Sequence, residues 1–197
     1  MKQTQTKESE FIATIYSDFS DNFDENFREI CSNKTIRAVV LVYDFEEVLQ
    51  IDKSLLELIR NCRVPVIIAL KKSVSKVNFE IAQAAHLCVA SGAVKFILPE
   101  KNTEISAREA LKLGLINNIV PIEEVENEAF AMAEKIKQLA PLATRACLQA
   151  VIQGLEMPLE DGLKLETELF SRIFASRDMR VGIRAFLEKR QPVFHGE

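Results

Sequence analysis

RAVVLVY (residues 37–43) and VPVIIAL (residues 64–70) decide the fold class of this chain. Each is a continuous apolar run rich in β-branched residues. Runs of that kind mark strands covered on both faces, in a sheet that carries helices outside it. Between them Val48, Ile51, Leu55, Ile59 and Cys62 recur at three- and four-residue spacing, the stripe of an amphipathic helix. Strand, helix and strand read as a right-handed βαβ unit, and the class as α/β.

Toward the N-terminus, Phe11 to Tyr16 alternates as a short edge strand does, and residues 2–9 (KQTQTKES) read as a loose polar tail. SDFSDNFDENF (17–27) looks like a capped, acidic helix start. Toward the C-terminus, Ser106 to Leu113 predicts a short helix stopped at Gly114, a natural left-handed C-cap, and Ile116 to Val120 a last strand before Pro121. Beyond it Val125, Ala129, Met132, Ile136 and Leu139 mark a helix face, followed by helices near 142–154, 158–175 and 178–190. Pro158 suits a first helical turn, and Asp178 can cap the last helix. The expected organisation is a polar tail over 1–10, an α/β core over 11–121 and a helical region over 122–197.

The chain has 197 residues, 48% of them hydrophobic and 27% charged, with a formal charge of -4. That length buries one substantial core, and that charge leaves no electrostatic footprint for nucleic acid. The longest apolar runs are too short to cross a bilayer, and Met1 to Phe11 is polar where an export signal needs an apolar stretch, so the expectation is a soluble, cytoplasmic protein with no membrane partner. Cys31, Cys62, Cys88 and Cys147 are scattered with no C-x-x-C pair, the pattern of reduced, buried thiols rather than a disulfide framework. His86 falls at the buried end of a sheet segment and His195 in the tail; with no acidic or thiolate cluster near them, no metal site is expected. The chain also lacks G-x-S-x-G, a Gly-rich phosphate loop and G-x-G-x-x-G, which argues against a serine hydrolase, an NTPase or a dinucleotide enzyme.

Two stretches carry a more specific signal. PVIIALKKSVSKVNFEIAQAAHLCVASGAVKFILPE (Pro65–Glu100), and ISAREALKLGLINNIVPIEEV continuing to FSRIFASRDMRVGIRAFLEKRQPVF (Ile105–Phe194), resemble the crotonase (enoyl-CoA hydratase/isomerase) superfamily. The closing AFLEKR-x-P-x-F (Ala185–Phe194), preceded by F-x-x-x-D-x-x-x-G-I, has an order and spacing that helix amphipathicity alone would rarely produce. The resemblance implies a spiral ββα core with a C-terminal helical oligomerisation region. It further implies trimers or hexamers, an acyl-CoA thioester as substrate or ligand, and no cofactor.

In that family a G-G-G-x-E-L turn opens a helix, and a backbone N–H there helps form an oxyanion hole. The matching residues here are Lys76, Val77 and Asn78, so the resemblance places the Val77 N–H as one donor. It places the two catalytic carboxylates on Glu80 and on Glu100, the latter after Pro99. One carboxylate can take a proton from water while the other supplies one to the substrate carbon. Preorganised N–H donors hold the charge that builds on the thioester oxygen, each worth about 3 kcal/mol in comparable sites. Phe186 and Lys189 match positions that reach the adenine and phosphate end of CoA.

Four of these residues also have a plainer reading. Glu80 would suit the dipole of a helix's first turn, Lys76 a solvated surface, Phe186 a core and Lys189 an exposed helix face. The departures from the pattern are as informative as the matches. The first glycine is Gly92, so no earlier loop has the residue that allows positive φ and close backbone approach to a ligand. The family's A-G-x-D loop, its N-R-P-x-x-x-N-A segment and its G-x-x-P-x-x-G-G stretch have no counterparts here. Two functions follow as expectations. One is a crotonase-fold protein with little or no hydratase activity and an interaction or scaffolding role. The alternative is an active lyase or isomerase on an acyl-CoA thioester through Glu80 and Glu100.

Overall fold

The computed structural model describes residues 5–9, 11–16, 23–44, 53–72, 74–98 and 102–197, with side chains outside the description over 5–9, 72–78 and at Asp44. The chain divides into two compact units, residues 1–134 and 135–197.

Unit 1 is built on a six-stranded sheet. Its strands are β1 (Gln5–Ser9), β2 (Ile12–Tyr16), β3 (Ala38–Asp44), β4 (Val66–Lys72), β6 (Leu87–Ser91) and β9 (Asn118–Val120), adjacent in that order. β1 and β2 are antiparallel, and every later pairing is parallel. A second sheet joins β5 (Val74–Ser75), β7 (Lys95–Leu98) and β8 (Thr103–Ser106). The helices of this unit are α1 (Phe23–Ser32), α2 (Lys53–Arg60), α3 (Lys76–Ala84), α4 (Ala107–Lys112) and the start of α5 (Val125–Lys137).

The apolar runs become strands because both of their faces are buried. Val39, Leu41 and Tyr43 of β3 and Val66, Ile68 and Leu70 of β4 share one core with Phe23, Phe27 and Ile30 of α1, Leu55 and Ile59 of α2, and Ile81 of α3. The alternate residues Ala38, Val40, Val42, Ile67 and Ala69 are buried on the opposite face. The parallel β3–β4 pair joined through α2 is the expected strand–helix–strand unit. Of its expected helix stripe, Leu55 and Ile59 are buried in α2, Cys62 is buried beyond its end, and Val48 and Ile51 lie outside the described residues.

Two expectations about the N-terminus change. Residues 5–9 form β1 rather than a loose tail, and pairing with β1 moves the Phe11–Tyr16 strand off the edge to an internal place. A polar strand with one neighbour has no need of an apolar pattern, which is why composition misses it. Gly114 adopts φ 74 and closes α4 as expected; its N–H donates to Leu111 O and that of Leu115 to Ala110 O, the paired bonds of a Schellman cap. Ser106 and Glu109 form a capping box at the other end of α4.

Unit 2 is helical: the end of α5, α6 (Pro141–Gly154), α7 (Leu159–Phe174) and α8 (Arg177–Leu187). Pro158 sits at the N-cap of α7, one place before the expected first turn. Ser176, not Asp178, caps α8 by accepting from Met179 N. Asp178 is buried, and its two carboxylate oxygens accept the His195 N–H at 2.9 Å and the Gly196 N–H at 2.8 Å. Glu197 O in turn accepts the first amides of α8, from Arg177 and Asp178. The Phe194 ring lies against Gly182, 3.6 Å from where a Cβ would stand. The D-x-x-x-G…P-x-F signature is thus a latch folding the C-terminal residues onto α8.

Candidate functional site

α3 follows directly on β5, which pairs in parallel with β7, so the sheet edge sets where the helix begins. Val77 is its second residue. Amides of a helix's first turn have no carbonyl partner within the helix, and the dipole makes that end positive. A developing oxyanion is the charge such an end can hold. Glu80 lies three residues on from Val77, and residues at that spacing share a side of the helix. Its side chain is exposed, whereas Ile81 and Ala84 face the core. α3 starts at Lys76, so Glu80 is its fifth residue and not, as expected, in the first turn; the dipole does not explain it.

Pro99 and Glu100 lie outside the described residues. The strands on either side of them, β7 and β8, are antiparallel and pair Leu98 with Thr103. Val77 and Glu80 thus lie on one helix, while the second carboxylate falls outside the described residues.

In unit 2, Phe186 is 83% exposed and not a core residue. Lys189 stands just past α8 with φ 53; its N–H donates to Phe186 O and that of Arg190 to Ala185 O, so it ends the helix in the conformation glycine usually supplies. Beside it is a feature that the motif reading missed. Arg177, Arg180, Arg184 and Arg190 line a cavity of about 340 Å³ with Val181. Arg177 pairs with Glu197 at 2.8 Å and Arg190 with Glu188 at 2.6 Å. Arg180 and Arg184 have no acidic partner among the described residues. Guanidinium groups so placed suit phosphate or carboxylate. The signal was available as arginines at helical spacing over 177, 180 and 184.

A second cluster had no signal in the sequence. Glu126, in the first turn of α5, accepts from the Tyr16 hydroxyl at the end of β2 and pairs with Lys71 Nζ of β4 at 3.1 Å. Burial, then the hydrogen bond to Glu126 and its charge, push the Tyr16 phenol up to about 12. Tyr16 therefore stays protonated at neutral pH and acts as a donor. Tyr16 and Glu126 are 110 residues apart, so only the folded chain brings them together.

His86 is structural. Its Nδ1 accepts the Val66 N–H at 2.9 Å while Nε2–H donates to Arg60 O at 3.0 Å, tying the start of β4 to the end of α2. Burial holds its imidazole below the ordinary value, against the opposing bond to Arg60. No group of three metal-ligating side chains occurs among the described residues, and none of the described helices is long and apolar enough to cross a membrane.

Three comparisons bear on the chain. The Enoyl-CoA hydratase/isomerase family model matches residues 101–197. A Bacillus subtilis protein described as "Probable enoyl-CoA hydratase" is 31% identical over 175 residues, covering 74% of this chain and 68% of that protein. A Dictyostelium discoideum protein, "Probable enoyl-CoA hydratase, mitochondrial", is 36% identical over 107 residues, 54% of this chain but only 38% of the relative. The chain thus spans well under two thirds of the latter's length. In fold, it matches the crystal structure of enoyl-CoA hydratase from Bacillus anthracis with a TM-score of 0.88 at 20% identity, over 100% of both chains.

Proposed function

The chain belongs to the crotonase (enoyl-CoA hydratase/isomerase) superfamily, and from that premise we propose a crotonase-fold protein with little or no hydratase activity, whose role is interaction or scaffolding. The observation that carries this reading is the opening of α3. The second residue of that helix, where a thioester must come close to a backbone amide, is valine, and no glycine precedes Gly92. A β-branched residue keeps its N–H, but it is bulkier and stiffer at χ1 than the glycine of the family pattern. Glu80 faces solvent from the same helix. A carboxylate in open water is a weak substitute for a general base held against its substrate in an enclosed site.

The interaction role is supported by unit 2. Leu155, Leu159, Phe170, Phe174 and Phe186 are each more than half exposed in the single chain. Apolar surface of that extent favours burial against another copy, in keeping with the homo-oligomer that the family resemblance implies.

Hydration of crotonyl-CoA, followed as loss of enoyl absorbance at high protein concentration, tests the proposal. The expected rate equals the buffer rate, and Glu80→Gln and Glu100→Gln leave it unchanged. A rate that either substitution abolishes would replace this reading with the second one, an active lyase or isomerase on an acyl-CoA thioester.

That second reading has its own support. By the sequence resemblance Glu80 and Glu100 match the family's two catalytic carboxylates, and the arginine-lined cavity is formed by residues flanking Phe186 and Lys189, which match its CoA-contacting positions. A rise in melting temperature on adding free CoA would favour it independently of turnover, because a ligand that prefers the folded state must stabilise that state.

A further inference from the structure

Four cysteines occur in the chain, and two of their sulfurs meet. Cys31 is the next-to-last residue of α1, and Cys62 is the second residue beyond α2. Their Sγ atoms are 2.8 Å apart, within an ångström of the about 2.05 Å of a disulfide bond. Both segments are held in place. Arg63 Nε donates to Cys31 O at 2.6 Å, and its guanidinium also donates to Asn33 O and, at 3.4 Å, to Ile36 O. Cys62 N donates to Ile59 O. One arginine next to Cys62 therefore binds the backbone at the end of α1 and keeps a positive charge beside both sulfurs.

Cys62 is buried and Cys31 half-buried, so Cys31 is the more solvent-accessible member of the pair. The other two thiols differ. Cys88 is buried and its thiol is pushed up by burial alone, while Cys147 is exposed on α6.

We propose that Cys31 and Cys62 form a reversible dithiol–disulfide pair, oxidised by hydroperoxides, which staples the end of α1 to the segment after α2. The hydrogen bond from Cys31, together with Arg63, favours the Cys62 thiolate against the burial that opposes it, and the same bond holds the proton on Cys31. The Cys62 thiolate attacks the terminal oxygen of the hydroperoxide; the O–O bond breaks, hydroxide or alkoxide leaves, and Cys62 becomes a sulfenic acid. The Cys31 sulfur then displaces the sulfenic hydroxyl, which leaves as water with the thiol proton, and the S–S bond forms. Two thiols and one peroxide thus give one disulfide, with the peroxide reduced by two electrons. A dithiol such as dithiothreitol reverses the step by exchange.

The test is peptide mapping of the full-length protein after one equivalent of hydrogen peroxide. Free thiols are alkylated under unfolding conditions, and the protein is digested with trypsin without reductant. The expected product is Glu29–Lys34 covalently joined to Asn61–Arg63 and released by dithiothreitol. Oxidation should also raise the melting temperature by about 5–10 °C, because the cross-link restricts the unfolded chain. In Cys31→Ser, Cys62 loses its resolving partner and should be trapped by dimedone as a sulfenic acid. Recovery of both peptides fully alkylated from peroxide-treated protein would overturn the proposal, as would a Cys31→Ser protein with no dimedone adduct on Cys62.

Discussion

The two units of this chain treat apolar residues in opposite ways. In unit 1, Phe23, Phe27 and Phe96 are fully enclosed and Phe23 stacks on Phe27 with ring centroids 5.5 Å apart. In unit 2, Phe170 and Phe174 also approach each other, at 5.9 Å, yet remain about 60% exposed. A sheet with helices over it can close a core within one chain, whereas a few helices can bury only one stripe each. The contrast teaches that aromatic content does not reveal where a core is. The same residue type closes a core in one unit and remains available to a partner in the other.

The largest expected effect probes the closed core. Phe27→Ala removes a fully buried ring and should cost about 3–5 kcal/mol of stability, read from urea unfolding. An effect under 1 kcal/mol would mean that the α1 side of the core is not packed as described.

A smaller loss is expected at the latch of unit 2. Asp178→Ala leaves the amides of His195 and Gly196 without their carboxylate and should cost about 2–3 kcal/mol, with faster hydrogen exchange at both amides. Unchanged exchange would show that the latch is held by other contacts.

His86 supplies a pH-dependent contribution to unit 1. Its folded-state pKa lies below the ordinary 6.5, so the unfolded chain binds the proton first on acidification. The contribution is complete above about pH 6.5 and is lost as pH falls from there through the folded value. His86→Gln should flatten that part of the stability curve, and an identical slope in the variant would exclude the histidine as its cause.

Phe170→Ser should give the smallest change in the stability of the single chain, within about 0.5 kcal/mol, because the ring is exposed there. It should instead lower the mass measured by light scattering, since self-association loses an apolar contact. A stability loss like that of Phe27→Ala would erase the distinction between the units.

Much of this was legible in the chain. The β3 and β4 runs, Gly114 at the end of α4, and the existence and approximate extents of α5 to α8 follow from local pattern, while the caps of α7 and α8 do not. Asp178 and Gly182 stood out as part of a signature, but their work as a latch was not readable, because the amides that Asp178 binds come from 17 and 18 residues away. Phe186 looked like a core position because an amphipathic pattern says which residues share a face and nothing about whether that face is covered. At the α3 site, the order of Val77 and Glu80 along the helix was visible, while the start of the helix at Lys76 was set by the pairing of β5 with β7.

By itself the sequence determined the class of fold, the family and the absence of early glycines, since each depends on residue type and short-range spacing. Tertiary structure alone decided that Cys31 meets Cys62 and that Glu126 receives Tyr16 and Lys71. The physical reason is that periodicity records only what lies within a turn or two of chain. Contacts between residues 31 to 110 positions apart exist only once the sheet has assembled and its crossovers have carried distant segments together.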